Sequence, residues 1–368
     1  MITYNQTVEG LPEIIRGSRI FLGAPGNSFL APRGVWITGK KLIVSDTGQN
    51  RVFIWHHFPE DEFREPDLVL GQQQTVDTGR NARGEVNGAT LQYPSGIWSD
   101  GTILIIADAW NHRVLIWHTF PVVSGQPADV VIGQPDFSHS LPNVKGIGKS
   151  PSERSLNWPY GVFSDGRNLW VADTGNRRVL HYAEIPTINF AAASGVIGKA
   201  HFNERDYENN DAIWPYAVRV SDSGVLSITD TQYYRNLIWK DWKTAFVQKA
   251  DVIIGQPDME SSGQNQYGSL PDSNTISWTY DGFFFRNGIV IADTGNSRLL
   301  FFDKIPETNG ALADNLIGHG SFKITSENAN TRNGTNQQLY WPFSICISGN
   351  LMAVADTGNH RIILYDLN

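Results

Sequence analysis

The chain has 368 residues, of which 18% are charged, with a formal net charge of −8, a single Cys, 35 Gly and 18 Pro. A net acidic chain without a cluster of Lys and Arg excludes a nucleic-acid surface. One Cys, Cys346 in the apolar run SICIS, excludes a disulfide framework and a thiolate zinc site, and no apolar run approaches the ~18 residues of a membrane helix.

In chain order, the first segment is MITYNQTVEGLPEIIRG. It has no basic start and no apolar stretch of roughly 7–15 residues, so it does not read as a secretory leader. Residues 1–16 read as an N-terminal extension of a soluble, cytoplasmic chain. RIFLG (19–23) follows as a short strand with no partner beside it in sequence.

From residue 31 a unit begins that recurs about every 62 residues, a period that marks a solenoid or a propeller. Each unit opens on an aromatic–Pro–x–Gly head leading into a strand: YPSGIW (93–98), WPYGVF (158–163), WPYAVR (214–219) and WPFSIC (341–346), with APRGVW (31–36) and WTYDGF (278–283) as variants. A second apolar run ends on Asp, and an Arg five positions later starts a third. The six copies are SDTGQNR (Asp46, Arg51), ADAWNHR (Asp108, Arg113), ADTGNRR (Asp173, Arg178), TDTQYYR (Asp230, Arg235), ADTGNSR (Asp293, Arg298) and ADTGNHR (Asp356, Arg361). A Val/Ile/Leu pair closed by Gly supplies a fourth strand, as in DLVLG (67–71), DVVIG (129–133) and DVIIG (251–255). Short β-branched runs divided by Gly, Pro, Asn and Asp are strand and turn signals, and no long stretch has the helical period. The last unit stops after its third strand, RIILYDLN, so the orphan strand at 19–23 belongs beside it. The expected fold is all-β: a six-bladed β-propeller with four-stranded blades, one domain over 17–368, its ring closed by an N-terminal outer strand.

The motif DTGNHR (Asp356–Arg361), its flanking strands and the P-x-G-V head resemble the NHL repeat. GQPDF (Gly133–Phe137), which returns as GQPDM (Gly255–Met259), resembles the bacterial NHL-repeat proteins. The resemblance spans essentially the whole chain from residue 17 and implies a six-bladed propeller. For function it implies two classes. One is enzymes, such as the peptide amidating lyase and the related strictosidine synthase and lactonase propellers; the other is interaction scaffolds. A fold does not choose its chemistry.

The six Asp/Arg pairs read as structural, because a catalytic site is asymmetric whereas a charge-assisted bond closing a turn recurs in every blade. The slot before each Arg holds Asn50, His112, Arg177, Tyr234, Ser297 and His360, and reads as a solvated turn. Tyr93, Trp158, Trp214, Trp278 and Trp341 recur too regularly for a site and read as packing between blades.

The informative set follows the head Pro. Inner strands of a propeller line its axis, so a position shared by all blades forms a ring at one channel mouth. That ring holds Arg33, Ser95, Tyr160, Tyr216, Tyr280 and Phe343. By the resemblance, the amidating lyase holds zinc with histidines at such heads; none stands here, so neither a metal site nor a cofactor is expected. A structural calcium held in the channel by backbone carbonyls stays open, since it leaves no trace in sequence. A fixed cation among phenols suits a flat or anionic small molecule, or a peptide.

Blade five breaks the repeat with Thr279 and Asp281, blade four with Gln232 and Tyr233, and blade two with Ala109 and Trp110; local rules tend to break where function sits. Long loops at 72–93, 134–158, 256–278 and 319–341 overhang the same face. Two functions stay open. The favoured one is a cofactor-free lyase, hydrolase or bond-forming enzyme. In it Tyr160, Tyr216 or Tyr280 transfers protons, Arg33 stabilises negative charge, Asp281 acts as base, and Ser95 and Phe343 line the ligand. The other is a non-catalytic scaffold whose face holds a partner protein through Trp110, Tyr233 and Tyr234.

Overall fold

The computed structural model describes residues 15–205, 213–330 and 334–368. Its main strands form six four-stranded antiparallel sheets. Blade one is built from Gly34–Thr38, Lys41–Asp46, Arg51–Trp55 and Leu68–Leu70, and blade four from Pro215–Val220, Leu226–Asp230, Arg235–Trp239 and Val252–Ile254. Each inner strand touches the next, and that of blade six, Pro342–Ser348, touches that of blade one, so the ring closes. Between blades, side chains such as Trp55, Trp117, Val44 and Ile105 are out of solvent, each stabilising the stack by roughly 1.5–3 kcal/mol.

The outer strand of blade six comes from the other end of the chain. Ile15–Phe21 pairs antiparallel with Arg361–Leu367, placing Arg19 opposite Leu364 and Ile20 opposite Ile363. This strand starts at Ile15 rather than Arg19, because an irregularity between Ile15 and Gly17 lets the chain stay in register with Leu367. Ile15 and Arg16, read as part of the extension, therefore belong to the sheet; the rest of it, residues 1–14, lies outside the described residues. The strand stops short of Gly23, where a φ of 119° turns the chain into a small ladder with Asn27–Ser28. Phe21 then packs edge-on against Trp55 at 4.8 Å, tying the closing strand to blade one as well.

Each turn between second and third strands is a short 3-10 segment, such as Thr47–Gln49 or Thr294–Asn296, capped by one left-handed residue. Among the described residues every helix is of this type, and none is long and apolar enough to cross a membrane.

In blades one to three the inner strands approach so closely near the axis that the residue after the mouth position is left no room for a side chain. A Cβ on Gly34 would stand 2.0 Å from the Ser95 carbonyl oxygen, and one on Gly161 would stand 2.5 Å from that of Tyr216. Blades four, five and six carry Ala217, Asp281 and Ser344 there instead. That half of the ring is where polar side chains enter the axis.

Candidate functional site

The repeat Asp and Arg are buried struts. In every blade Arg Nε donates to Asp Oδ2 at 2.7–2.8 Å. The second Asp oxygen accepts a backbone amide on the segment entering the blade, from Leu30, Gln92, Asn157, Trp214, Ser277 or Tyr340. The remaining Arg N–H groups hold loop carbonyls: Arg113 donates to Asn87 and Thr90 on the loop entering its blade and to Phe137 on the loop leaving it. Burial pushes Asp46 up to about 6 against the pull of Arg51, so the pair is held by its hydrogen bonds and not by cheap desolvation.

Two more contacts join neighbouring blades. In four blades the Thr after the Asp donates to the carbonyl two places before the next inner glycine or its equivalent: Thr47 to Pro94 at 2.6 Å, Thr174 to Pro215 at 2.6 Å, and likewise Thr294 to Pro342 and Thr357 to Pro32. The slot before the Arg reaches the residue preceding the next head Pro. Asn50 Oδ1 accepts from the Tyr93 amide at 2.9 Å, His112 Nδ1 from the Trp158 amide at 3.0 Å and His360 Nδ1 from the Ala31 amide at 2.9 Å. Arg177 lies 4.4 Å over Trp214, and Tyr234 meets Trp278 edge-on at 5.2 Å. The slot is therefore an inter-blade contact, still solvated at His360 but buried at His112 and Ser297. Its left-handed backbone aims the side chain at the next blade, which leaves His112 only 7% exposed; burial pulls its pKa down to about 4.

At the mouth, the structure brings Arg33, Tyr160, Tyr216, Tyr280 and Phe343 together. Tyr160 stacks on Tyr216 at 4.6 Å, Tyr216 meets Tyr280 edge-on at 4.5 Å, and Tyr280 lies 4.1 Å from Phe343. The Arg33 guanidinium sits 4.2 Å from the Phe343 ring and 5.1 Å from that of Tyr93. The rings thus fill the mouth side by side, and Ser95, the smallest member of the set, is buried. Burial raises Tyr93 to about 12 and raises Tyr160, Tyr216 and Tyr280 as well, so all four phenols keep their protons at neutral pH. Burial opposes the charge of Arg33, the Tyr216 hydroxyl accepts a hydrogen bond from it at 3.3 Å, and the guanidinium stays a cation.

Asp281 is not a lone carboxylate beside these phenols. It is 2% exposed. Its Oδ2 accepts from Arg219 Nη2 at 2.9 Å, from the Ile345 amide at 2.9 Å and from the Ser344 hydroxyl at 3.2 Å; its Oδ1 accepts from the Gly282 amide at 2.9 Å. Arg219 itself is buried among Trp36, Phe163 and Phe283 at 5.6–6.0 Å. Sequence reasoning missed Arg219. The signal was present: it is the one charged residue in a slot filled elsewhere by Trp36, Trp98, Phe163, Phe283 and Cys346.

Of the candidate ligand contacts, Trp110 reaches the mouth: it stacks on Tyr93 at 4.4 Å and its Nε1 donates to the Tyr160 hydroxyl at 3.2 Å. Tyr234 joins the rim through Trp278, whereas Tyr233 turns back toward Arg235, 5.0 Å from its guanidinium. Tyr93, read as packing, belongs to the mouth. The Trp residues in the same slot are not buried between blades either: Trp158, Trp278 and Trp341 are 46%, 36% and 44% exposed. The reason is backbone geometry. The slot has φ of 57° at Tyr93, 49° at Trp158 and Trp278, and 52° at Trp341, a left-handed conformation that sterics disfavour for bulky residues and that lifts the ring out of the sheet. Strain of this kind persists where it serves a site.

No family model matches the chain. By sequence it is 21% identical over 350 residues to NHL repeat-containing protein 2 of Homo sapiens, a match covering 89% of this chain and 45% of that protein. The chain thus spans less than half the length of this relative. Among solved structures it is similar to an auxiliary nutrient binding protein from Bacteroides thetaiotaomicron, with a TM-score of 0.54 and 14% identity over 95% of this chain and 76% of the other. It is also similar to a protein of unknown function from the same organism, with a TM-score of 0.52 and 12% identity over 95% and 76% of the two chains. Those two likenesses show the fold alone. Taken with the repeated Asp/Arg turns, the four-stranded blades and the human relative, they lead to one assignment: the chain is an NHL-type six-bladed β-propeller.

Proposed function

We propose that this propeller is a recognition protein whose loop-bearing face holds a flat small molecule or peptide group against the aromatic mouth without transforming it. The observation that carries the reading is the ring-on-ring packing of Tyr160, Tyr216, Tyr280 and Phe343, rimmed by the half-exposed Trp158, Trp278 and Trp341. Rings already locked against one another lose little freedom when a ligand lands on them, and exposed Trp and Tyr are the residues that dominate binding surfaces. Proton transfer, by contrast, needs a base in reach of the bound group. Asp281 is turned toward Arg219 and out of solvent, and burial holds every phenol of the mouth in its protonated form.

The test is a binding screen by NMR and intrinsic fluorescence with flat aromatic compounds and short peptides, on the wild type and on a Trp158→Ala/Trp278→Ala/Trp341→Ala variant. Ligands of the wild type are expected to bind the variant at least 10-fold more weakly, while Tyr→Phe changes at 160, 216 and 280 alter affinity by less than about 3-fold. Conversion of a bound ligand, lost about 10²-fold on one of those Tyr→Phe changes at unchanged affinity, would replace this reading with the cofactor-free enzyme.

A further inference from the structure

Resting on the reading of the mouth as a recognition site, we infer that the group it receives is a carboxylate carried on a flat apolar frame, with Arg33 as its anchor. The argument begins with an imbalance of charge. The other arginine on the axis, Arg219, has Asp281, and each repeat Arg has its Asp. Among the described residues Arg33 pairs with no acid. Burial acts on its charge, and the groups beside it are Tyr216, Tyr93 and Tyr280. The guanidinium keeps its charge with protonated phenols for neighbours, so a ligand anion would be the first full counterion it meets.

The hydrogen-bonding capacity points the same way. Arg33 donates from Nη1 to the Tyr216 hydroxyl at 3.3 Å, and its buried Nε makes no hydrogen bond. Among the described residues Nη2 has no hydrogen-bond partner and is left for a ligand. Beside it, the phenol of Tyr93 keeps its proton, as does that of Tyr280. The mouth therefore offers protonated hydroxyls beside one positive charge, donors that a group able only to accept can use.

Shape narrows the class. The guanidinium lies 4.2 Å from the Phe343 ring and 5.1 Å from that of Tyr93, flat apolar neighbours for the frame of a ligand, and its planar fork matches the two oxygens of a carboxylate. One cation with neutral donors also balances a monoanion better than a doubly charged phosphate. The frame that carries the carboxylate would rest on the exposed indoles at the rim. Either a free aryl carboxylic acid or the C-terminus of a peptide ending in an aromatic residue has this chemistry.

The experiment is calorimetric titration of the full chain with benzoate, benzamide, inorganic phosphate, and an N-acetylated tripeptide ending in Trp prepared as free acid and as amide. Benzoate or the peptide acid is expected to bind at least 10-fold more tightly than its amide, and whichever acid binds better identifies the source. Arg33→Met should weaken the acid about 10-fold and leave the amide unchanged, with Arg33→Lys between; thermal melts of both variants verify folding. Acid and amide binding equally, phosphate binding more tightly than either acid, no probe binding, or an Arg33→Met protein that binds as wild type would each overturn the carboxylate anchor. Binding of the amides that depends on Trp158, Trp278 and Trp341 would at the same time leave the recognition reading standing, whereas binding indifferent to those three residues would remove it.

Discussion

The backbone amide of Trp158 donates to Nδ1 of His112 at 3.0 Å, so an imidazole of blade two holds the exposed indole of blade three in its left-handed conformation. The acceptor must be an unprotonated ring nitrogen, and burial pulls the His112 pKa to about 4, below the ~6.5 of an unfolded chain. Below that value the unfolded chain takes up a proton that the folded one refuses. Stability from this group is therefore complete above pH ~6.5 and is lost progressively as pH falls toward 4, by about 3 kcal/mol in all. In His112→Asn the loss should be smaller, because Asn50 makes the same bond to Tyr93 without titrating. Urea midpoints at pH 7 and pH 4.5 for both proteins check this; identical pH slopes would exclude His112 as the source.

Removing one partner of a repeat pair should be severe. Asp293→Ala leaves Arg298 buried and charged among carbonyls, at a loss of about 3–5 kcal/mol. Adding Arg298→Met should recover part of it, since the uncompensated charge goes. Denaturant unfolding of the single and double variants gives the comparison, and a near-neutral single variant would contradict the strut assignment. Ligand binding by the folded fraction should persist.

A chain lacking residues 1–22 should melt well below the full chain and self-associate. It exposes the edge of Arg361–Leu367 and loses the burial of Phe21 against Trp55, the latter alone about 1.5–3 kcal/mol, and open edges template pairing with other chains. Calorimetry and size-exclusion chromatography report both effects. An unchanged melting temperature would mean that the ring does not depend on this strand.

Trp158→Asn should separate stability from binding. Asn tolerates the left-handed region that Trp at φ 49° occupies under strain, so the variant should gain about 1 kcal/mol. It should also lose affinity, because the ring on the rim is gone. A variant that is both less stable and equally able to bind would show that the indole is there for packing after all.

The propeller was legible because each copy of the repeat meets the same surroundings. Asp108 and Arg113 face the same loop carbonyls as their counterparts in other blades, so the same residues are needed in every copy. The mouth was legible as a set for a related reason: one slot of the repeat maps onto one layer of the axis, which is how Arg33 and Tyr216 could be placed in one ring from their positions alone. That they meet across it, from blades one and four, was not legible. Contacts between layers were hidden. Asp281 and Arg219 belong to different slots of different repeats, and no periodicity connects two such slots. The exposure of Trp158 was hidden as well, because recurrence says that a position matters and not which way its backbone turns. The amide of Trp158 meets the neighbour's His112, a contact visible only once the blades are assembled.

The pairing of Ile20 with Ile363 has a consequence in time. Most of the chain lies between these partners, so loop-closure entropy delays their meeting. During synthesis the N-terminal strand is made first and used last, and it must wait with its edge unsatisfied while the intervening blades assemble. At high concentration the same strand from another copy is chemically indistinguishable, and exchange of this one segment would link two rings without any new interface.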